Sequence, residues 1–377
     1  MKILHITNYM YPHIGGIEQT TRDIIGSLSD IGEQSVICFN HEKGDVRDAV
    51  DGVEIMRCST AVKISSQAIS FSFKKNLKKE LKRLNPDLVI FHYPNPFEAH
   101  YLLKCLKKYP KCQLLVWWHL DITKQKILGK LFKGQTKRLL RRADKVITTS
   151  VELAKKSPFL SKVPEKCVVI PSCINEKRLQ IDEEVKALSR RVKEGIKDKT
   201  ICFAVGRHVE YKGLRYLIVA SRYLDDNFRI FIGGSGPLTE SLKKLAKGDD
   251  KIKFLGKVGD RELKAYLLAC DIYCFPSITK NEAFGLALAE AMYFSKPAVT
   301  FTIEGSGVNF VSPNGVTGIE VENANSKKYA EAIKELAENA ALREQYGIAA
   351  KERVTELFLQ ETFSRKVNEL IRSVADK

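Results

Sequence analysis

The sequence predicts an α/β protein of two tandem domains, each with a doubly wound parallel sheet, and three observations support this prediction. Short apolar segments of strand length alternate with helical segments throughout the 377 residues, which is typical of parallel strands joined by crossover helices. A chain of this length can bury more than one core. A cluster of breaker residues at Pro171–Asn175 interrupts the alternation. We therefore expect the two domains to join near residues 171–182.

The strands are predicted from short apolar segments bounded by turn residues. In the first half of the chain we expect strands at Lys2–Ile6, Ser35–Phe39, Leu88–Phe91, Gln113–Trp117, Lys145–Thr149 and Val168–Ile170. In the second half we expect them at Thr200–Val205, Arg229–Ile232, Ile252–Leu255, Ile272–Phe275, Ala298–Thr300 and Gly318–Val321. The helices predicted between them include Leu214–Leu224, Leu238–Lys247, Arg261–Leu268 and Phe284–Met292. Such sheets bind ligands at the carboxyl ends of their strands, so we expect functional residues in the loops that follow the strands.

The composition is that of a soluble globular protein, with 44% hydrophobic and 28% charged residues. No apolar segment is long enough to cross a bilayer. The N-terminus passes directly into a strand pattern without the core of a signal peptide. The nine cysteines are scattered and lack the spacing of a metal site, so we expect reduced, mostly buried thiols. These features predict a cytoplasmic protein.

The net charge of +17 is concentrated in the first half of the chain, where residues 1–180 hold 31 Lys and Arg against 17 Asp and Glu. Three basic segments account for most of this excess: Lys74–Arg83, Lys104–Lys111 and Lys124–Arg142. In the last segment, apolar residues recur at helical spacing among basic residues that include Lys126, Lys130, Lys133 and Lys137. A basic amphipathic helix predicts an anionic membrane surface or a polyanion as partner. The alternative is an ordinary solvated helix face.

Two carboxylates eight positions apart, Glu282 and Glu290, form the most informative pattern in the chain. We expect a helix to begin near Phe284, with Glu282 in the preceding loop and Glu290 inside a run of Ala and Leu. At helical rise the two carboxylates stand about 12 Å apart, roughly the distance between a nucleotide ribose and a diphosphate-linked sugar. The free amides at the helix start would meet an anion between them. The alternative is one satisfied internal Glu and one surface Glu.

Two glycine loops follow strands of the second half. In Gly206–Gly213, Arg207 and Lys212 stand beside a predicted helix start, where a guanidinium fork and an ammonium group suit a diphosphate. The second loop, Gly233–Pro237 with Gly234 at its centre, should lie beside the first in the sheet. Together these residues predict a nucleotide-diphosphate site in which Glu290 suits the ribose diol and Glu282 suits sugar hydroxyls. Two solvent-facing cations would be the simpler alternative.

The first half holds two weaker candidates. Gly15 and Gly16 open a predicted helix after the first strand, where adjacent glycines allow a ligand close to the backbone. His119 follows the strand Gln113–Trp117, at the strand end where this fold positions functional residues. A plain tight turn is as good an explanation of the glycines, and a histidine that caps its strand through Asp121 is the alternative for His119.

With these residues taken together, the chain resembles the retaining glycosyltransferases of family 4, which have the GT-B fold of two Rossmann-like doubly wound domains facing a central cleft. The resemblance covers the whole chain. The matching elements occur in family order: Gly15-Gly16 with Glu18, His119 with Asp121, Pro171–Asn175, Gly206-Arg207 with Lys212-Gly213, Gly233–Pro237, and the E-x7-E element from Glu282 to Glu290. The E-x7-E element is the specific signal among them. The loop Ser306–Asn309 departs from the more common Gly-Gly-x-x-Glu of the family.

The resemblance implies an acceptor-binding domain at residues 1–174, a domain at 175–355 that binds the nucleotide sugar, and a last helix at 356–377 that packs back on the first domain. It implies transfer of a hexose from a GDP- or UDP-linked donor with retention at the anomeric carbon, and with no metal or other cofactor. Arg207 and Lys212 would hold the leaving diphosphate and His119 the donor sugar. Residues 283–286 would add backbone donors: Ala283, Phe284, Gly285 and Leu286.

The segments His92–Pro96 and Trp118–Lys126 resemble those of enzymes that assemble O-antigen or capsule polysaccharide. This implies a polyprenyl-diphosphate-linked saccharide acceptor and a peripheral location on the inner face of the cell membrane, with no nucleic acid as partner. The basic first half would then rest on anionic headgroups.

Two other functions stay open. A basic polyanion-binding protein would explain the charge but not the glycine loops or the pair of carboxylates. A GT-B nucleotide-sugar epimerase or phosphorylase would explain the loops, and product analysis would separate it from a transferase, because an epimerase needs no acceptor.

Overall fold

The computed structural model describes residues 1–12, 15–64, 67–121, 126–196 and 198–375, with the backbone alone at 63–64, 67, 126–131 and 375. The chain divides into two compact units. The first unit contains Met1–Ser172 together with Glu361–Lys377, and the second contains Cys173–Gln360.

Most of the first unit is a parallel sheet with helices between its strands. Its strands are β1 (Lys2–Ile6), β2 (Glu33–Phe39), β3 (Val46–Val50), β4 (Val53–Cys58), β5 (Val62–Ile64), β6 (Gln67–Ile69), β7 (Leu88–Tyr93), β8 (Gln113–Trp118), β9 (Lys145–Thr148) and β10 (Cys167–Val169). Its first helices are α1 (Gly16–Ser27), α2 (Phe73–Leu84), α3 (Pro96–Leu106), α4 (Lys126–Arg142) and α5 (Val151–Lys156). Within the described residues the sheet has the order β10-β9-β8-β7-β1-β2-β4-β3, and β5 and β6 form a separate hairpin.

The second unit has a wholly parallel sheet in the order β13-β12-β11-β14-β15-β16. Its strands are β11 (Thr200–Val205), β12 (Phe228–Gly233), β13 (Ile252–Gly256), β14 (Ile272–Phe275), β15 (Ala298–Phe301) and β16 (Gly318–Val321). Its helices are α6 (Glu183–Glu194), α7 (Leu214–Ser221), α8 (Thr239–Leu245), α9 (Asp260–Ala269), α10 (Leu286–Tyr293), α11 (Val308–Val311), α12 (Ser326–Glu338) and α13 (Ala340–Leu357). The α/β fold class predicted from the sequence is confirmed.

The central strands are buried along their whole length because helices cover both faces of a parallel sheet. In the first unit all six residues of β7 are buried, and in the second all four residues of β14 are buried. Each unit therefore has its own core beneath the loops that end its strands.

The edge of the first sheet was not predicted from the sequence. Strands β3 and β4 pair antiparallel through a tight turn at Asp51 and Gly52, where φ is 51° and 80°. Two successive residues with positive φ are typical of a type I′ hairpin, for which Asp-Gly is a strong sequence signal. The four exposed residues at the start of β3, Val46–Ala49, hid this strand from a search for apolar segments.

The last helix, α14 (Gln360–Ala375), belongs to the first unit. The Phe363 ring lies 6.0 Å from the Trp117 ring, and the Ser364 hydroxyl lies 2.8 Å from the Ser27 hydroxyl. Within the described residues, no helix is both long enough and apolar enough to cross a membrane.

Candidate functional site

The topological switch point of the second unit lies at β11, which pairs with β12 on one side and β14 on the other. Loops that leave neighbouring strands in opposite directions open a crevice at the carboxyl ends, where doubly wound sheets bind ligands. The loop after β11 contains Arg207 and Lys212, and the loop after β14 contains Glu282. The sheet topology therefore brings together two segments that the sequence analysis selected separately.

The two glycine loops, Gly206–Gly213 and Gly233–Pro237, pack against each other through their backbones, as expected from the sequence. The Gly206 amide donates to the Gly233 carbonyl at 3.1 Å. At Gly234 φ is 109°, and a Cβ atom there would overlap the Gly206 carbonyl. Only glycine fits this position without shifting the loops.

Lys212 and Glu282 form an ion pair in which the ammonium group lies 2.5 Å from Oε2 of the carboxylate. The Ser277 hydroxyl donates to the same oxygen at 2.9 Å. Only 15% of the Lys212 side chain and 11% of the Glu282 side chain are exposed. Buried charges are costly unless they are paired, so each group makes the burial of the other tolerable.

Arg207 is exposed, and its charge acts on Tyr211 together with the charges of Lys212 and Glu282. Burial raises the pKa of Tyr211, the positive charge of Lys212 lowers it, the carboxylate of Glu282 raises it and the guanidinium of Arg207 lowers it. All three charges therefore lie close enough to act on one phenol. The structure groups two cations and one carboxylate at the carboxyl ends of β11 and β14.

Helix α10 begins at Leu286, two residues later than the predicted start near Phe284. The reason is Gly285, whose φ of 96° lies in the left-handed region that favours glycine. Phe284 is instead buried, with its ring 5.2 Å from the Phe358 ring. The first amides of α10 have no carbonyl partner within the helix, and such an end attracts anions.

Glu290 lies on α10 and forms an ion pair with Arg178, which also binds Asp260 at 2.8 Å. Burial raises the pKa of Glu290, the Arg178 guanidinium lowers it, and the Asp260 carboxylate raises it. Arg178 is a residue that the sequence analysis did not select. It is 112 residues from Glu290 in the chain, and no spacing pattern connects the two.

The two carboxylates of the E-x7-E element both lie near Tyr273 on β14. Burial raises the pKa of Tyr273 well above its usual value, and the charges of Glu290 and Glu282 raise it further. The charges of Glu282 and Glu290 thus both act on one residue of β14, and the start of α10 lies between them in the chain.

The loop after β15 packs on the segment that holds Glu282. The Gly307 amide donates to the Ala283 carbonyl at 3.0 Å, and the Ser306 hydroxyl donates to the Glu282 carbonyl. Asn309 accepts from the Ile303 amide at 2.9 Å and donates to the Phe301 carbonyl at 3.1 Å. Asn309, which departs from the Glu of the family pattern, therefore holds its own loop in shape.

The switch point of the first unit lies at β1, which pairs with β2 and β7. After β1, Gly15 is the N-cap of α1 and Gly16 is its first residue. A Cβ atom at Gly16 would meet no described heavy atom within 4 Å. The loops after β1 and β7 are tied together because the Asn95 amide donates to the Asn8 side chain at 2.8 Å.

Three buried histidines, His5, His92 and His119, stand side by side across this sheet, with neighbouring ring centroids 6.3 Å and 5.3 Å apart. His92 Nδ1 lies 3.1 Å from His119 Nε2 and 3.3 Å from the Thr21 hydroxyl of α1. Burial lowers the pKa of His5 to about 4 and of His119 to about 3. Burial and the neighbouring imidazoles lower the pKa of His92 well below its usual value. His119 is therefore neutral near pH 7 and offers a hydrogen bond rather than a charge.

Contacts around Asp121 fix the strand end that bears His119. Asp121 accepts from the Trp118 indole at 3.1 Å and from the Ser157 hydroxyl at 2.8 Å. The Trp118 ring stacks on the Tyr93 ring at 3.8 Å, and the His119 amide donates to the Tyr93 carbonyl at 3.2 Å. The residue that the resemblance pairs with His119 thus anchors the loop after β8.

Glu98, in the first turn of α3, is completely buried, and neither of its carboxyl oxygens has a hydrogen-bond partner among the described atoms. Burial raises the pKa of Glu98 well above its usual value. An unpaired carboxylate is costly inside a protein, so the neutral acid is the favoured form here.

Helices α2, α3 and α4 pack side by side, and we call their outer surface the basic layer. Its exposed cations are Lys74, Lys75, Lys78, Lys79, Lys82, Arg83, Lys104, Lys133, Lys137, Arg138 and Arg141. The acidic residues of these helices, Glu80 and Glu98, are buried. The side chains of Lys126 and Lys130 lie outside the described residues. The fold therefore merges three basic segments of the sequence into one surface.

No cluster of three or more His, Cys, Asp or Glu side chains suited to a metal ion occurs in the part of the chain that the structure describes.

Two family profiles match the chain. The family described as "Glycosyltransferase Family 4" matches residues 14–178, and "Glycosyl transferases group 1" matches residues 186–353. Together they cover both units except for the two ends and a short stretch between them. The first match contains the predicted glycines and His119, and the second contains all the predicted donor residues of the second unit.

The chain is similar along almost its whole length to two curated bacterial enzymes. It is 29% identical to the O-antigen chain mannosyltransferase C of Escherichia coli, over 95% of this chain and 94% of that protein. It is 28% identical to the D-rhamnosyltransferase WbpZ of Pseudomonas aeruginosa, over 95% of this chain and 92% of that protein.

Solved structures show the same fold at lower identity. Sucrose-phosphate synthase from Thermosynechococcus elongatus superposes with a TM-score of 0.82 at 20% identity, over 99% of this chain and 98% of that one. Anabaena HepE in complex with UDP-glucose superposes with a TM-score of 0.79 at 17% identity, over 99% of this chain and 100% of that one. With both units matched by the family profiles and the fold shared with these enzymes, the chain belongs to the glycosyltransferases of family 4 and has the GT-B fold.

Proposed function

We propose that this glycosyltransferase transfers a hexose, with retention at the anomeric carbon, from a nucleotide diphosphate sugar to a hydroxyl of a lipid-linked saccharide. The observation that supports this most directly is the Lys212–Glu282 pair beside the start of α10. It sets a cation for phosphate, a carboxylate for sugar hydroxyls and a helix N-terminus within one region of the second unit.

The donor binds the second unit. Glu290, held by Arg178, accepts from the ribose diol. Arg207, Lys212 and the first amides of α10 bind the diphosphate, Glu282 accepts from ring hydroxyls, and the backbone from Ala283 to Leu286 adds donors. The relatives named above support a GDP-linked donor such as GDP-mannose, because one of them is a mannosyltransferase. HepE has been solved in complex with UDP and with UDP-glucose, so UDP-linked sugars are candidate donors as well.

The reaction breaks the bond between the anomeric carbon and the donor phosphate through an oxocarbenium-like transition state. Arg207, Lys212 and the helix amides stabilise the negative charge that develops on the leaving diphosphate. For attack on the same face, a donor phosphate oxygen accepts the proton of the acceptor hydroxyl. This scheme uses no protein nucleophile and no metal.

The first unit binds the acceptor. The resemblance assigns His119 to the donor sugar and places Gly15 and Gly16 at the donor, and these roles stay predictions. The basic layer supports a peripheral position on an anionic membrane surface, where a polyprenyl-diphosphate-linked saccharide resides. The two relatives support a role in O-antigen or capsule biosynthesis.

A panel of GDP- and UDP-sugars tests the donor by thermal shift, because a ligand that binds the native state raises its melting temperature. We expect one nucleotide sugar to raise the melting temperature, and the Glu290→Gln variant to lose this shift while keeping its fold. That donor is then incubated with a lipid-linked acceptor. The anomeric configuration of the product shows whether the reaction retains the configuration of the donor. A donor converted without any acceptor would support an epimerase. No shift with any nucleotide sugar, together with tight and salt-sensitive binding of nucleic acid, would support the polyanion-binding alternative.

A further inference from the structure

A cavity of about 330 Å³ opens in the basic layer between α3 and α4. Its lining residues are His100, Leu103, Lys104, Leu106, Lys107, Gln135, Arg138 and Arg142. None of them is acidic, and two leucines form an apolar part of the wall. The volume is at the small end of ligand sites, for which about 300–1,000 Å³ is usual. The cavity therefore suits a small anionic group with an aliphatic portion.

The walls of this cavity are built by fixed contacts. The Gln135 side chain is buried and donates to the Pro96 carbonyl, which joins α4 to the start of α3. At the same end, the Phe97 and Phe132 rings meet edge to face at 5.8 Å. At the other end, the Arg142 guanidinium donates to the Cys112 carbonyl. The two helices are thus held in place on either side of the opening.

Lys104, Lys107 and Arg138 remain as exposed cations at this cavity. Among the described residues, none of the three has an ion-pair partner. An ammonium group acts as a point charge for phosphate and a guanidinium binds it with two parallel hydrogen bonds.

We propose that this cavity binds the phosphate and glycerol portion of an anionic phospholipid headgroup, with Lys104, Lys107 and Arg138 on the phosphate and Leu103 and Leu106 against the glycerol backbone. This deepens the membrane-surface part of the proposed function and rests on it. Free phosphate shares the anionic chemistry, but it would leave the apolar wall unused. The surrounding basic layer favours a source within a charged membrane surface, since juxtamembrane cations are attracted to anionic lipids.

His100 provides a probe inside the cavity. Burial lowers the pKa of His100, and the charges of Lys104 on its own helix, Arg138 on α4 and Lys74 on α2 lower it further. A bound phosphate would offset these cations and raise the pKa of His100. Headgroup binding should therefore strengthen as the pH falls through that pKa.

The test compares two double variants with the same loss of charge and the same helical spacing. Lys104→Ala/Lys107→Ala removes two cations of the cavity, and Lys79→Ala/Lys82→Ala removes two exposed lysines of α2 that do not line it. The ligands are dihexanoyl phosphatidylglycerol, used below its critical micelle concentration, and inorganic phosphate. Each ligand is titrated into the protein, and binding is monitored by NMR of the His100 ring.

We expect the wild type and the α2 variant to bind the short-chain lipid equally, and the cavity variant to bind it at least tenfold more weakly. We also expect the lipid to raise the pKa of His100. Equal loss in both variants, or no binding by the wild type, would overturn the proposal. If inorganic phosphate bound as tightly as the lipid, the ligand of the cavity would be free phosphate and not a lipid headgroup.

The outcome can be separated from that of the proposed function. Transfer to a water-soluble acceptor analogue should be unchanged in the cavity variant, because its substitutions are at the carboxyl end of α3 in the first unit and touch none of the predicted donor residues. A wild type that binds the lipid but transfers no sugar would count against the proposed function, and one that transfers sugar but binds no lipid would count against the cavity.

Discussion

The ammonium group of Lys212 lies 2.5 Å from the carboxylate of Glu282, and both side chains are largely buried. The two residues come from loops that follow adjacent strands of the second sheet. The group that we propose for sugar hydroxyls and the group that we propose for phosphate are therefore coupled electrostatically. This coupling makes the stability and the activity of the site separable by mutation.

Replacing either partner alone should reduce both activity and stability. Lys212→Ala and Glu282→Ala should each lose transfer by more than about a hundredfold, the usual scale for one transition-state contact. Each should also lower the free energy of unfolding by about 3 kcal/mol, since it leaves a buried charge unpaired. Product formation and urea denaturation measure the two effects.

The double variant Lys212→Ala/Glu282→Ala should recover part of this stability but none of the activity, because no charge is left unpaired. Lys244→Ala, an exposed lysine on α8, is the control for charge loss and should behave as the wild type. Turnover at the wild-type rate in both single variants would contradict the roles given to these residues.

Arg178 should position Glu290 and keep it ionised. Arg178→Ala should weaken donor binding by about tenfold or more, since hydrogen bonds to charged groups contribute about 1.5–3 kcal/mol. The pKa of Glu290 is already raised by burial and is lowered by Arg178. Without Arg178 this pKa rises further, so donor affinity should fall more steeply in the variant as the pH is lowered from 8 to 6. Donor titrations across this range measure the effect.

Asp260→Asn is the matched control for Arg178, because it removes the exposed partner of the guanidinium and leaves the Glu290 contact in place. An Arg178→Ala variant with wild-type affinity at every pH would show that Glu290 needs no partner to bind the donor.

Glu98 should make the protein less stable as the pH rises. Its pKa is raised in the folded state, so above the unfolded value of 4.5 the folded protein holds a proton that the unfolded chain has lost. Stability from this group is present at low pH and is lost as the pH rises, by at most about 1.4 kcal/mol per pH unit. Glu98→Gln should therefore gain stability relative to the wild type between pH 5 and 8.

Glu152→Gln supplies the comparison for Glu98, since Glu152 is an exposed carboxylate in the first turn of α5. The difference in the free energy of unfolding between Glu152→Gln and the wild type should stay constant over the same pH range. If the difference in the free energy of unfolding between Glu98→Gln and the wild type were also constant, the Glu98 carboxyl would be ionised in the folded protein.

The three buried histidines should act in the opposite direction. Their pKa values are lowered in the folded state, so below pH 6.5 the unfolded chain binds protons that the folded protein excludes. Stability should fall as the pH drops from about 6.5 toward 4, by at most about 1.4 kcal/mol per pH unit for each histidine. His92→Phe should make this slope shallower. The slope should persist at high salt, because burial and not surface charge causes it, and a slope abolished by salt would contradict this origin.

The sequence was sufficient for the parts of the fold and site that depend on local pattern. Apolar segments located the central strands, and the run of Ala and Leu after Glu282 located the start of α10 to within two residues. The error of two residues arose at Gly285, because a run of Ala and Leu does not show which residue adopts a positive φ.

The parts that the sequence did not provide depend on which strands become neighbours. Arg178 reaches Glu290 across 112 residues of chain, and His5, His92 and His119 meet only because β7 pairs with β1 and β8. The basic layer was visible as three separate segments, but their union follows from the packing of α3 against both α2 and α4. One local signal was overlooked, the Asp51-Gly52 turn between β3 and β4.

The position of α14 limits when the first unit can complete its core during synthesis. The first unit needs Phe363 and Ser364 to cover Trp117 and Ser27, and these residues leave the ribosome only after the whole second unit has emerged. The second unit is continuous in the chain and can therefore fold first, although it is synthesised second. Until α14 emerges, part of the core of the amino-terminal sheet stays open to solvent.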